Sequence, residues 1–302
     1  MSRFFSRGLL AATLVTLAAC GSDNDNDTII DPPAEPTVAQ LQVIHASADA
    51  PGVNVLVNGT IPAGLADVPF AAASPYLELD AGTIDAAVNA ILADGSEVEV
   101  LTAPDLALDA GTAYTVIAAG STAELLAAGT ANPLQLFLLT RDIVDTIDGV
   151  RLQVLHGSPS APEVDVFVSA PGDELGAVTP ATFAFGEVLD LGIVPAAEYR
   201  IRVTPAGTDT VVFDSGAVAL PDGADISIVA VDNVGPGASP IDLLAVLADG
   251  TVLEMRDGGA DAPAGLTAVH NSADAPAVCV VADDAGTAGV ERVVLFENVP
   301  FR

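Results

Sequence analysis

Beyond residue 38 the chain is written largely in period two. Leu41 and Val43 alternate with polar positions up to His45, a Ser-x-x-Ala-Pro turn follows, and Val53, Val55 and Val57 alternate again before Asn58-Gly59. Alternation of this kind, rich in β-branched residues and punctuated by Gly, Pro, Asn and Asp, predicts short strands joined by tight turns. Residues 121–129 allow one or two helical turns. No segment reads as a helix long enough to cross over a parallel sheet.

The pattern recurs. Residues 41–58 (LQVIHASADAPGVNVLVN), 152–169 (LQVLHGSPSAPEVDVFVS) and 266–282 (LTAVHNSADAPAVCVVA) align, and the three histidines of the protein, His45, His156 and His270, fall at one aligned position, 111 and 114 residues apart. A period this long describes an array of whole domains rather than a solenoid. Later segments match too: 107–119 with 219–231, and 133–142 loosely with 241–247. Each complete unit carries about seven predicted strands with a turn roughly every ten residues, as in a β-sandwich. The expected fold is therefore all-β, with tandem antiparallel, immunoglobulin-like sandwiches at 39–141 and 151–256. A short polar joint (142–150) and a Gly/Pro-rich one (257–265) follow them. Residues 266–302 form an incomplete third unit, too short to bury a core alone. Either that unit is cut or it docks on the second; the likeness of Glu297–Phe301 to Ala66–Phe70, midway through the first unit, favours a cut.

The N-terminus has a different grammar. Arg3 and Arg7 precede an apolar stretch from Gly8 to Ala19 that is too short to span a bilayer and ends in Leu17-Ala18-Ala19-Cys20. That string resembles the bacterial lipobox, which makes 1–20 a lipoprotein signal peptide and Cys20 the acylated residue. Gly21 after the cysteine, rather than Asp, implies by the same resemblance the outer membrane of a Gram-negative cell. Residues 21–38, rich in Asp, Asn and Pro, are expected to act as a flexible acidic tether. The partners expected are the membrane lipid and an unidentified envelope or extracellular ligand.

Composition narrows the functions. Hydrophobic residues make up 51% of the chain, enough for real cores, but aromatics only 4% with no Trp. Asp and Glu number 41 against nine basic residues, all Arg, for a net charge of −32. Such a field repels phosphate backbones and excludes nucleic acid as a partner. It suits a solvated surface, and also a saline habitat in which screening removes self-repulsion. Calcium binding by the many Asp side chains, in a calcium-dependent surface module, is a further alternative, although no EF-hand loop is present. The two cysteines, Cys20 and Cys279, have no metal-ligand neighbours at C-x-x-C spacing, and no cofactor is expected.

The recurring motif supplies the candidate chemistry: His45, Ser47 and Pro51; His156, Ser158 and Pro162; His270, Ser272 and Pro276. With Asp49, the first set has the residue types of a hydrolytic triad. However, there is no nucleophile elbow, and Ser160 replaces the acid that the other units carry as Asp49 and Asp274. Asn54, Asp165 and Cys279 share one aligned position and offer three unlike ligands, which suits no single metal. No catalytic residue and no metal site are expected. The motif reads as turn architecture, with His donating to a carbonyl, Ser accepting from an N–H and Pro fixing φ.

The string V-x-H-x-S-x-x-A-P-x-V-x-V, repeated behind a lipobox, resembles the bacterial domain of unknown function 4397 family over about residues 39–302. The resemblance implies a β-rich fold and an exported or cell-surface protein, and carries no catalytic residues. The function expected is a non-enzymatic envelope lipoprotein displaying sandwiches for binding, adhesion or support. The alternative is an envelope hydrolase or carbohydrate-active protein using an acidic pair such as Glu97/Glu99, which share one side of a strand.

Overall fold

The first alternating segment forms strand β1 (Val38–His45), and its neighbours build a sandwich of eight strands: β2 (Val53–Val57), β3 (Ala72–Ala73), β4 (Leu77–Asp80), β5 (Gly82–Ile91), β6 (Glu97–Leu108), β7 (Thr112–Ala119) and β8 (Gln135–Asp142). A single helical turn, α1 (Thr122–Leu125), lies between the last two. The second repeat supplies β9 (Val150–His156), β10 (Val164–Ser169), β11 (Ala181–Phe183), β12 (Val188–Val194), β13 (Ala197–Pro205), β14 (Phe213–Leu220), β15 (Asp225–Asp232), β16 (Ile241–Leu247) and β17 (Val252–Met255). The counts exceed the expected seven because short edge pieces such as β3 and β4 break off where the chain turns. The computed structural model describes residues 37–125, 132–235 and 237–258, with the backbone of two further strands. The expected signal peptide (1–20), most of the expected tether (21–38) and most of the third unit lie outside the described residues.

Each repeat has the same plan. One sheet centres on a parallel pair, β1 with β7 in the first repeat and β9 with β15 in the second, extended antiparallel by β8 and β16. The other sheet is antiparallel: β2–β5–β6 in the first repeat and β11–β10–β13–β14 in the second. Between the sheets lie the sandwich cores. Leu41, Val43, Val55, Val88 and Val116 belong to the first, and Leu152, Val166, Val203, Phe213 and Ile228 to the second.

The two sandwiches are not self-contained. Ile44, Ile117, Ala119 and Leu139 of the first repeat form one buried cluster with Leu155, Val229, Val231, Leu244 and Val246 of the second. The β1- and β9-containing sheets therefore pack face to face, giving four layers in which the two inner sheets are buried on both sides. Period two explains the sidedness: Val43 and His45 point into their own sandwich, while Gln42 and Ile44 point at the neighbouring repeat. Register also shows that each repeat contributes equivalent positions, Ile44 with Leu155, Ile117 with Val229, and Leu139 with Val246. An interface made of the same patch on both sides is isologous, and it is closed.

One end of this interface is polar. Gln42 Nε2 donates to the carbonyls of Leu247 (2.8 Å) and Ser74 (3.1 Å). Arg141 bonds Gln153, Ser227 and Asp225, and Arg151 holds the same Asp225 carboxylate. Beside this network the joint residues Ile143–Ile147 help to line a crevice of about 440 Å³. Gly250, at φ +84°, lets the β16–β17 turn approach the first repeat, where a Cβ would lie 2.6 Å from Pro75 N.

The third unit contributes β18 (Val278–Ala282) and β19 (Val293–Val299), an antiparallel pair in which Val278 faces Val299. These are the aligned counterparts of Val53 and Val68, which bridge in the same sense in the first repeat.

Candidate functional site

The recurring motif sits where β1 and β9 end. His45 and His156 are each about 1% exposed, sealed in their own sandwich cores. Their rings meet phenylalanines edge-on: His45 against Phe70 at 6.5 Å, and His156 against Phe183 at 6.0 Å and Phe185 at 6.3 Å. His156 Nε2 lies 3.1 Å from the Pro162 carbonyl and, as its N–H, donates to it. Neither nitrogen of His45 meets hydrogen-bond geometry, although the Pro69 carbonyl lies near enough to favour the charged ring. Phe70 and Phe185 are structural counterparts. The residue after each, Ala71 (φ +61°) or Gly186 (φ +83°), donates its N–H to the histidine carbonyl, at 3.0 and 2.8 Å.

Burial is the dominant influence on both histidines and lowers their pKa; nearby carbonyls offset it only in part. The sign follows. The unfolded chain takes up protons as pH falls through about 6.5, while the folded chain resists them until a lower pH. Stability is therefore full above pH 6.5 and declines as the solution is acidified below it. Unfolding free energies by urea titration should fall between pH 7 and pH 5.5, and the slope should flatten in a His45→Leu/His156→Leu double variant. A slope unchanged in that variant would place the proton uptake elsewhere.

Serine and acid hold the turns rather than each other's chemistry. Ser47 is fully buried and donates to the Gly120 carbonyl at 2.7 Å, with Asp49 Oδ1 3.1 Å away. Asp49 in turn accepts from Ser121 Oγ (2.8 Å) and from the Thr122 (2.9 Å) and Ala123 (3.2 Å) backbone N–H groups, capping α1. Burial works against its charge, but these bonds outweigh it and hold Asp49 below the usual carboxylate range.

In the second repeat the arrangement is exchanged. Ser160 occupies the place of Asp49, and Asp232, at the end of β15, occupies the place of Gly120. Asp232 accepts from Ser158 Oγ and from Ser160 Oγ (2.8 Å), while Ser158 Oγ accepts from Ala161 N (3.3 Å). The acid that Ser160 replaces has its counterpart across the strand pair, in Asp232. Removing it should cost stability in both repeats: about 1 kcal/mol for Asp49→Ala and about 2 kcal/mol for Asp232→Ala, which strands the buried Ser158 hydroxyl. Unchanged urea midpoints in both variants would refute this.

The prolines Pro51 and Pro162 complete these turns, and only Pro162 is tied to its histidine by a hydrogen bond. His270, Ser272, Pro276 and Cys20, the residue expected to be acylated, lie outside the described residues. Asn54 and Asp165, aligned with Cys279, do parallel work: Asn54 Oδ1 accepts from Asp67 N and Asp165 Oδ2 from Gly207 N, each at 2.8 Å. Glu97 is held on the open face of its sheet by the amides of Asn54 (2.8 Å) and Asn89 (3.0 Å). Among the described residues no three His, Cys, Asp or Glu side chains gather as a metal would require, and no helix is long and apolar enough to cross a membrane.

The motif loops of both repeats converge on one cleft of about 230 Å³, between Ala48, Asp49 and Ser121 on one side and Pro159, Asp232 and Val234 on the other. Asn132 Nδ2 reaches across to the Pro159 carbonyl at 2.8 Å. The paired sheets thus bring two copies of one motif to a single end of the molecule.

The sequence profile of the domain of unknown function (DUF4397) matches residues 39–167 and again 150–281. The chain belongs to the DUF4397 family. The matches begin at the His45 and His156 motifs in turn and overlap over 150–167, so the cleft lies between two DUF4397 repeats. No curated protein matches the chain.

What sequence reading missed is Phe70, Phe185 and Asp232. A signal for the first existed: the string Ala66–Phe70 has a likeness at Glu297–Phe301. Asp232 lies some 70 residues from the serine that it serves, beyond any local pattern.

Proposed function

We infer that this DUF4397 protein is a non-enzymatic lipoprotein of the cell envelope. In this reading it is held to the outer membrane through acyl chains on Cys20 and presents its fused sandwiches to a partner. The observation that carries the reading is the commitment of the motif's polar groups. Ser47 donates to a backbone carbonyl and not to His45, and both acids accept bonds that fix turns. A triad needs the serine hydrogen-bonded to the histidine. What both motifs do build is a loop surface at one end of a double sandwich, the place where such scaffolds bind partners. This last step is fold-level analogy.

Two experiments test it. Cells fed a labelled fatty acid should yield labelled protein, and Cys20→Ser should lose the label; an unlabelled wild type removes the anchor. Envelope fractions passed over the immobilised protein should retain a ligand that is lost in an Ala48→Arg/Val234→Arg variant, which alters the cleft surface without touching the turn bonds. Retention indifferent to that variant moves binding away from the cleft. Turnover of an envelope glycan or ester, abolished by changing Glu97, would replace the reading with the enzymatic one.

A further inference from the structure

The two repeats pack as equivalents, so the molecule has two equivalent flanks, and these are finished differently. In the second repeat the inner sheet continues past β16 to β17. Leu243, Ala245 and Leu247 turn their backbone groups toward that strand, as the bond from Leu247 N to Thr251 O (2.9 Å) shows. In the first repeat the inner sheet stops at β8. Ile143 N donates to Gly111 O at 2.8 Å, which continues the ladder in which Phe137, Leu139 and Arg141 bond β7. Leu136, Leu138 and Thr140, the counterparts of Leu243, Ala245 and Leu247, therefore turn their N–H groups to the edge. Among the described residues no strand pairs there.

Side-chain exposure marks the same place. On the finished flank, Val252 of β17 and Ala73 of β3 both pack against the shared apolar cluster. Ala73 is paired with Ile44 as Val188 is with Leu155, so Val188 is its counterpart on the other flank. Val188 and Leu138 are each 44% exposed. The bare edge lies close over β12: the rings of Phe137 and Phe185 meet at 5.6 Å, and Gln153 Nε2 donates to both Thr140 O (3.3 Å) and Asp190 Oδ2 (3.2 Å). A strand laid along β8 would cover Leu138 with one face and Val188 with the other. Free edges are commonly blunted by lysine, proline or a bulge, and residues 135–140 (QLFLLT) contain none of these.

Charge selects the occupant. The exposed acids Asp142, Glu187 and Asp190 rim this seat, while the nearby Arg141 and Arg151 are committed to Asp225. A second copy of β8 would bring the same acids and no free cation. A cationic segment would find complementary charge.

We propose that the free edge of β8 is a docking site for an extended strand of a partner protein, apolar at alternate positions and flanked by lysine or arginine. The strand adds antiparallel, as β17 does on β16, through main-chain bonds to Leu136, Leu138 and Thr140. This surface lies on the flank and does not rest on the cleft between the motif loops.

The test uses the full chain and a synthetic peptide alternating valine and threonine between terminal lysines. Hydrogen exchange, read residue by residue by NMR, should slow several-fold at Leu136, Leu138 and Thr140 when the peptide is added. The effect should fade as salt rises and persist in the Ala48→Arg/Val234→Arg variant. Leu138→Pro removes one outward donor without touching the β7 ladder and should abolish it. Should that variant fail to fold, Leu138→Lys at this exposed position should weaken binding several-fold by repelling the peptide's lysines. No protection by the lysine-flanked peptide, or equal protection by a glutamate-flanked one, would overturn the proposal. So would protection that appears without peptide and grows with protein concentration, which would give the edge to a second copy of the chain.

Discussion

Ile117→Asp should destabilise both sandwiches, although the residue belongs to the first. Ile117 is fully buried on the face of β7 that meets Leu155, Val229 and Leu244 of the second repeat. Truncation to Ala alone would cost about 2–5 kcal/mol through lost transfer energy and cavity formation. A carboxylate adds the penalty of a buried charge with no partner, so the total should exceed about 4 kcal/mol. Because the lost contacts are shared, hydrogen exchange should accelerate in β15 and β16 as well as in β7 and β8. Calorimetry of the unaltered protein should show the two repeats melting together. Exchange rates in β15 and β16 that stay at wild-type values would mean that the inner sheets do not stabilise each other.

Arg141→Ala should be the costliest polar change, at about 3 kcal/mol. The side chain is 5% exposed and its guanidinium serves Gln153, Ser227 and Asp225 at once. Removal leaves three buried groups short of a donor, although Arg151 continues to hold Asp225 and keeps the loss below that of a fully orphaned charge. Arg141→Lys should recover little, since one ammonium cannot reproduce a planar fork aimed at several acceptors. Denaturant unfolding of the three proteins decides it: a Lys variant as stable as the original would reduce the network to simple charge pairing.

Much of the fold was legible because short-range rules govern it. Val53, Val55 and Val57 alternate and form a strand, Asn58-Gly59 turns, and the recurrence of His45 at His156 marks two equivalent units. The inner sheets were harder. Gln42 reads as an outward polar position in an alternating strand, yet it is buried and donates to the second repeat's Leu247 carbonyl. The available clue was in the central strands: Thr112–Ala119 and Asp225–Asp232 are nearly continuous apolar runs, the signature of a strand covered on both faces. Of the candidate site, the recurrence of His and Ser at the strand ends was readable from local spacing; that Ser47 donates to the Gly120 carbonyl instead of accepting from an N–H was not. The exchange of Asp49 for Asp232 was not, because hydrogen bonding between strand ends leaves no periodic trace.

The polar end of the shared interface bears on partner choice. Equivalent positions there carry unlike residues: Gln40, Ala113 and Arg141 in the first repeat correspond to Arg151, Asp225 and Ala248 in the second. Two copies of the first repeat would bring together arginines with no carboxylate between them. Two copies of the second would bring their own Arg151–Asp225 pairs but no Arg141 for Gln153 and Ser227. The apolar half of the interface would accept any of these pairings, and the charged half accepts one. That asymmetry directs a first repeat to a second repeat and turns away the like-with-like pairings that two neighbouring molecules could otherwise make.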